Sequence, residues 1–165
     1  MLTIQKATPS DIPLIRDLCM KVWPQTYTPI LGAPQVAYML NLFYSPDSLQ
    51  EQMEEPTHQF IICYSEGAPA AFASFSETGP HIYKLHKIYI LPTMQGKGIG
   101  KYIVSQITNE IKDRQAKALR LNVNRYNYPA LKFYNNIGFK LFAQEDINIG
   151  GGYFMNDFVL NMDLA

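Results

Sequence analysis

The stretch LPTMQGKGIGKYI, Leu91 to Ile103, spends three glycines on one short segment: Gly96, Gly98 and Gly100, set among Gln95, Lys97, Ile99 and Lys101. Apolar residues lead into it and a helical pattern follows. A glycine at a helix start costs about 0.5–1 kcal/mol relative to alanine, so three of them need a cause. One cause is a tight turn with close packing of helix on strand. The other is a ligand that must reach bare backbone N–H groups, most often a phosphate at a helix N-terminus. The spacing G-x-G-x-G does not match the dinucleotide template G-x-G-x-x-G, and Tyr102 stands where a triphosphate loop needs Ser or Thr.

Such a loop must sit between a strand and a helix, and the rest of the chain supplies both. LTIQKA reads as a strand. TPSDIPLIRDLCMKVW reads as a helix, with Thr8 or Ser10 as its cap and Ile15, Leu18, Cys19, Val22 and Trp23 at helical spacing. TYTPILG is expected to break it. APQVAYMLNLFY is a second helix, and SPDSLQEQMEE a third, capped by Ser45 with Pro46 in its first turn. HQFIICYS, APAAFASFS and HIYKLHKIYIL then alternate as strands separated by EG and ETGP. After the glycines, Ile99, Ile103, Val104, Ile107 and Ile111 mark a helix to about Ala116. ALRLNVN is a strand, NYPALKFYNNIG a helix closed by Gly138, and FKLFAQE and YFMNDFVLNMDL are closing strands. The order β-α-α-α-β-β-β-α-β-α-β-β predicts an α/β layered domain over residues 1–165 with a mixed sheet. The glycine loop falls at the C-terminal end of a strand, where open sheets bind ligands.

Composition narrows the function. The chain has 165 residues, 47% of them hydrophobic, with 14 basic and 14 acidic side chains. Zero net charge argues against non-specific binding to nucleic acid or an anionic membrane. The N-terminus MLTIQKATPSD turns polar too soon for a secretory signal, and no apolar run approaches a membrane span, so a cytoplasmic protein is expected. Cys19 and Cys63 lie in apolar stretches and read as buried free thiols. His58, His81 and His86 lack zinc-motif spacing, so no metal is expected.

Gln95-Gly96-Lys97-Gly98-Ile99-Gly100 resembles the [RQ]-x-x-G-x-[GA] signature of the GNAT superfamily of N-acetyltransferases. KIYILP before it resembles that family's strand and proline. NRYNYPALKFYNNIGF resembles its second landmark, N-x-x-A-x-x-[FL]-Y-x-x-x-G-F, matched at Asn127, Ala130, Phe133, Tyr134, Gly138 and Phe139. The resemblance implies a GNAT-like fold with a mostly antiparallel sheet of about seven strands flanked by helices. It implies acetyl-CoA as co-substrate. The N–H groups from Gln95 to Lys101 would hold the pyrophosphate, with Lys97 or Lys101 adding charge. Backbone groups of Ile88, Tyr89 and Ile90 would take the pantetheine arm as an added strand, on a strand that splays from its neighbour, and Asn127 would contact that arm while also reading as a plain N-cap. Asn135 and Asn136 stand where relatives often place Lys or Arg.

Acyl transfer to an amine needs the nitrogen deprotonated, the oxyanion stabilised and the departing thiolate protonated. By resemblance Tyr134 is the acid; as a bare residue it also reads as core. The family's base often lies on the strand before the loop, which points to His86. Strict alternation puts it on the face of Ile88, and histidine titrates in the useful range. A buried, satisfied histidine is the other reading, and a water chain to Glu77 would serve equally. Tyr27, Tyr38, Tyr153 and Asp157 are candidate liners of the acceptor side, and the tail is similar at isolated positions to the polyamine-acetylating branch. Two functions follow: an enzyme acetylating a primary amine of a small molecule, or of a protein N-terminus, and a non-catalytic CoA-binding module. A homodimer by strand exchange or edge pairing is compatible with either.

Overall fold

The structure is a computed structural model and describes residues 1–164. Its elements are β1 (Leu2–Lys6), α1 (Ile12–Leu31), α2 (Ala33–Tyr44), α3 (Pro46–Glu54), β2 (Gln59–Ser65), β3 (Ala68–Gly79), β4 (Ile82–Ile90), α4 (Ile99–Asp113), β5 (Ala118–Asn124), α5 (Tyr128–Asn136), β6 (Lys140–Gly150) and β7 (Tyr153–Asp163). The order is the one the sequence predicts. The strands make one sheet, β1-β2-β3-β4-β5-β7-β6. Every neighbouring pair is antiparallel except β4 and β5, which run parallel.

Alternation along the strands sends side chains to two separate cores. Ala71, Ala73 and Phe75 of β3 pack with Leu119 and Leu121 of β5 under Ile103, Ile107 and Ile111 of α4 and Tyr134 of α5. On the opposite face Phe72 of β3 joins Phe60 and Ile62 of β2 against Ile15 and Trp23 of α1, Met39 of α2 and Leu49 of α3. The sheet is thus covered on both faces. Cys19 and Cys63 are buried and unpaired.

Two expectations for the first helix are overturned. α1 is N-capped by Asp11, while Thr8 caps the short 3-10 turn Pro9–Asp11 before it. TYTPILG does not break the first helix: α1 continues through Pro24 and Pro29 to Leu31. Each proline removes a helical hydrogen bond, at about 3 kcal/mol in an unsupported helix. Tertiary packing opposes this. Trp23 is buried and stacks on Tyr27, one turn later, with ring centroids 4.5 Å apart. It also meets Tyr44 at 5.5 Å and Tyr89 at 5.8 Å. Tyr27 is therefore carried on a helix, at a fixed place over β4.

Two irregularities shape the middle of the sheet. In the β3–β4 ladder Ser74 pairs with Lys87 and Phe75 with Leu85, so His86 is an extra residue in a β-bulge. In the β4–β5 ladder pairing stops after Leu85 and Leu121. Beyond that point β4 follows β3 to Ile90 and β5 follows β7 to Asn124. The two central strands part, and a gap opens inside the sheet.

Candidate active site

The glycine loop closes one end of this gap. Gly96 and Gly98 have φ of +77° and +80°, and a Cβ on either would point into open space. They let the chain turn left-handed and present bare backbone outward. Gly100 serves the other purpose: a Cβ there would lie 2.8 Å from Phe133 Cζ and 3.1 Å from Ile90 Cδ1. Both causes weighed for the glycines operate, at different positions. The first intrahelical bond is Tyr102 N–H to Gly98 O, 3.0 Å. Among the described residues, the N–H groups from Gly96 to Lys101 donate to nothing in the chain. Free donors at the positive end of a fifteen-residue helix form a ready anion site. Gln95 Nε2 donates to Ile90 O, 3.2 Å, and ties the loop to the end of β4, while Lys97 and Lys101 are exposed beside it.

Tyr134 packs from α5 into the core that Ile88 and Ile90 of the parted β4 also face. Its ring sits between Phe133 and Phe139, at 5.2 and 5.6 Å. Its hydroxyl has no hydrogen-bond partner among the described residues. Burial holds its pKa above the ordinary phenolic value, with Tyr27 adding to the rise, so it is protonated at neutral pH. Asn127 caps α5, its Oδ1 accepting from Ala130 N–H at 3.4 Å. Tyr27 and Tyr89 approach hydroxyl to hydroxyl at 3.5 Å on the α1 side, and burial raises the pKa of both. Ile88 and Ile90 point the other way, into the α4–α5 core.

Asp157 lies on β7 opposite Asn124 of β5 and is 4% exposed. Its Oδ2 accepts from Asn122 Nδ2 at 3.2 Å, and the same nitrogen donates to Glu145 Oε2 at 3.2 Å. Asn122 and Glu145 are residues the sequence reading missed. The signal was present: Leu119, Leu121 and Val123 alternate with Arg120, Asn122 and Asn124, giving β5 one polar face. Tyr38 and Tyr153 are brought to each other, ring centroids 5.1 Å apart, rather than to Tyr27. Tyr38 donates to Ile149 O at 2.6 Å and packs on Gly151, fastening α2 to the β6–β7 turn.

His86 does not share the face of Ile88. The bulge breaks the alternation and turns His86 with Lys87 to the other face, Lys87 toward Tyr44 of α2 and His86 toward His58 between α3 and β2. Its Nε2 lies 2.6 Å from Ser76 Oγ and its ring 4.6 Å from that of His58, which is 3.2 Å from Glu55. Burial, then the neighbouring His58, Lys84 and Lys87, pull its pKa down to about 3. This ring, on the first residue of β4 beyond its pairing with β5, is held by Ser76 of β3 and by His58 just before β2, on the face opposite Ile88 and Ile90. The histidine pair has a consequence for stability. Burial also lowers the pKa of His58. Both rings are neutral in the folded chain over a range where an unfolded chain, with histidine near ~6.5, takes up protons. Stability is fully present above that pH and is lost progressively as pH falls toward the folded values. The thermal midpoint should drop between pH 7 and pH 5, and His86→Gln should flatten that drop. An equally steep drop in the variant would remove His86 from the effect.

The family model described as "Acetyltransferase (GNAT) family" matches residues 21–139, and the chain belongs to that family. It is similar to an uncharacterised N-acetyltransferase of Mycobacterium tuberculosis, 21% identical over 94% of this chain and 99% of that one. Among solved structures it is similar to the PaiA N-acetyltransferase of Thermoplasma acidophilum in complex with coenzyme A, with a TM-score of 0.84 at 20% identity, covering 99% of both chains. It is similar also to the ribosomal-protein-S18-alanine N-acetyltransferase of Escherichia coli, with a TM-score of 0.75 at 17% identity over 100% of this chain and 95% of that one. These likenesses show the fold.

Proposed function

We propose that the protein transfers an acetyl group from acetyl-CoA to a primary amine of a small molecule, by direct attack of the amine in a ternary complex. The observation that carries this reading is the run of free N–H groups from Gly96 to Lys101, just past the parted end of β4, whose Ile88 and Ile90 share a core with Tyr134. The loop suits a pyrophosphate, because nothing covers the backbone at Gly96 and Gly98. The edge of β4 around Ile88 to Ile90, unpaired toward β5, suits the amides of a pantetheine arm. Asn127 stands where β5 leads into α5, beside the same gap. The relative solved with coenzyme A supports the choice of ligand.

With a thioester threaded through the gap, Tyr134 reaches it from the α5 side and supplies a proton to the departing sulfur. The acceptor enters from the α1 side, past Tyr27. The primary ammonium of such an acceptor, near pKa ~10.4, is neutral to roughly 0.1% or less at pH 7, so the site must also take a proton. The test is release of CoA thiol from acetyl-CoA over a panel of primary amines: aliphatic monoamines, diamines, polyamines, aminoglycosides and short peptides. Turnover with at least one small amine is expected. CoA binding without thiol release on any of them would make the chain a CoA-binding module instead.

A further inference from the structure

We propose that Asp157 is the group that receives the acceptor's ammonium and takes its proton. This rests on the acetyltransferase reading and assigns the step that His86 does not fill. Four observations converge on it. Asp157 is a carboxylate buried to 4% exposure. It belongs to none of the ion pairs among the described residues. Its Oδ2 takes one hydrogen bond, from Asn122, and Oδ1 takes none. It sits beside Asn122 and Asn124, the β5 positions that begin where β4 departs.

A buried carboxylate left without an ion pair is costly and is retained where it has work with an incoming charge. The charged and titratable groups around Asp157 leave that role open. From β4 comes Lys84, from β6 Glu145, from the segment after β5 Arg125, and from α1 the Tyr27 hydroxyl. Arg125 spends its guanidinium on Asp146 at 2.7 Å and on the backbone oxygens of Glu145 and Asp157. Burial and Glu145 push the carboxyl up; Asn122, Lys84 and Arg125 hold it down, with a net rise above the ordinary aspartate value. A raised carboxyl accepts a proton more readily than a solvated one, which suits a base.

The step balances as follows. An ammonium R–NH₃⁺ gives one proton to Asp157 Oδ1 and becomes R–NH₂. The nitrogen lone pair forms the new C–N bond at the thioester carbonyl. As the C–S bond breaks, its electron pair leaves on sulfur. As the tetrahedral adduct collapses the nitrogen sheds a second proton to solvent and keeps one hydrogen, Tyr134 protonates the thiolate and regains its proton from solvent, and Asp157 returns its own to solvent, for a net release of one proton.

The experiment compares wild type, Asp157→Asn and Asn122→Ala. The substrates are the best primary amine of the panel and its β-trifluorinated analogue, whose nitrogen is already neutral at pH 7. Circular dichroism and CoA calorimetry check the fold. Asp157→Asn should lower kcat/KM for the parent amine by about 10²–10⁴-fold and for the fluorinated analogue by under about tenfold, and should erase the acidic limb of the profile. Asn122→Ala leaves the carboxylate in place and removes the hydrogen bond that favours its charged form, so the acidic limb should move to higher pH. Equal losses on both amines, a loss of Asp157→Asn within about threefold, or an acidic limb unmoved in Asn122→Ala would each overturn the assignment. A wild-type protein that binds CoA and acetylates no amine would instead overturn the enzyme reading, and this assignment with it.

Discussion

Gly98→Asp is expected to abolish CoA binding while leaving a folded protein. Gly98 ends the loop and caps α4 in the left-handed region, with φ +80° and ψ 9°. A Cβ there meets nothing within 4 Å. Aspartate is one of the few residues enriched in that conformation, so the fold should lose only about 1 kcal/mol. The ligand meets a different environment. The new carboxylate stands among the free N–H groups and satisfies one or more of them itself. A pyrophosphate charge at about 5 Å then faces repulsion of about 3 kcal/mol at an effective dielectric near 20. Two such charges put the loss beyond about four orders of magnitude in affinity. Gly98→Ala is the control: it carries the strain without the charge and should bind CoA within about tenfold of wild type. Calorimetry on both variants, with circular dichroism for the fold, makes the comparison. Unchanged affinity in folded Gly98→Asp would remove the pyrophosphate from this loop.

Tyr134→Phe should reduce turnover by about 10²–10⁴-fold, nearer the lower end because the CoA thiolate is tolerably stable unprotonated. The ring keeps its contacts with Phe133 and Phe139. The hydroxyl has no partner among the described residues, so deleting it orphans no buried group there, and stability should change by under about 1 kcal/mol. Binding of CoA, carried mostly by backbone, should hardly move. The loss should then fall on kcat and kcat/KM alike, as for an interaction made in the transition state. Steady-state kinetics beside calorimetry would show it. A near-wild-type kcat would make Tyr134 a packing residue and leave the proton to water.

Residues whose role depends on local chain geometry were legible in the sequence. The loop glycines and the N-caps Ser45 and Asn127 follow from short-range rules, and the structure places each on the element expected. Residues whose neighbours are set by distant register were not. Asn122 meets Asp157 and Glu145 only because β7 inserts between β5 and β6, a crossover that no local pattern encodes. His86 was misread for a related reason. Alternation assumes an unbroken ladder, and one inserted residue reverses the face of everything before it. Tyr27 was read as part of a helix-breaking loop because proline is locally unfavourable, while the packing of Trp23 that overrides it involves β4 and α2.

The parting of β4 and β5 has a bearing on the protein's lifetime in the cell. A sheet usually has two outer borders; this one has two more where β4 and β5 part beyond Leu85 and Leu121, unpaired among the described residues. Raw strand borders invite pairing with other chains and entry by proteases. In the proposed complex the pantetheine arm would lie along this seam and act as a removable strand. Any ligand that binds only the folded chain stabilises it by about 2.7 kcal/mol at a hundred times its Kd. The abundance of this protein would then follow the supply of its own co-substrate. Where CoA is plentiful the seam is closed; where it is scarce, the same opening that admits the thioester marks the chain for turnover.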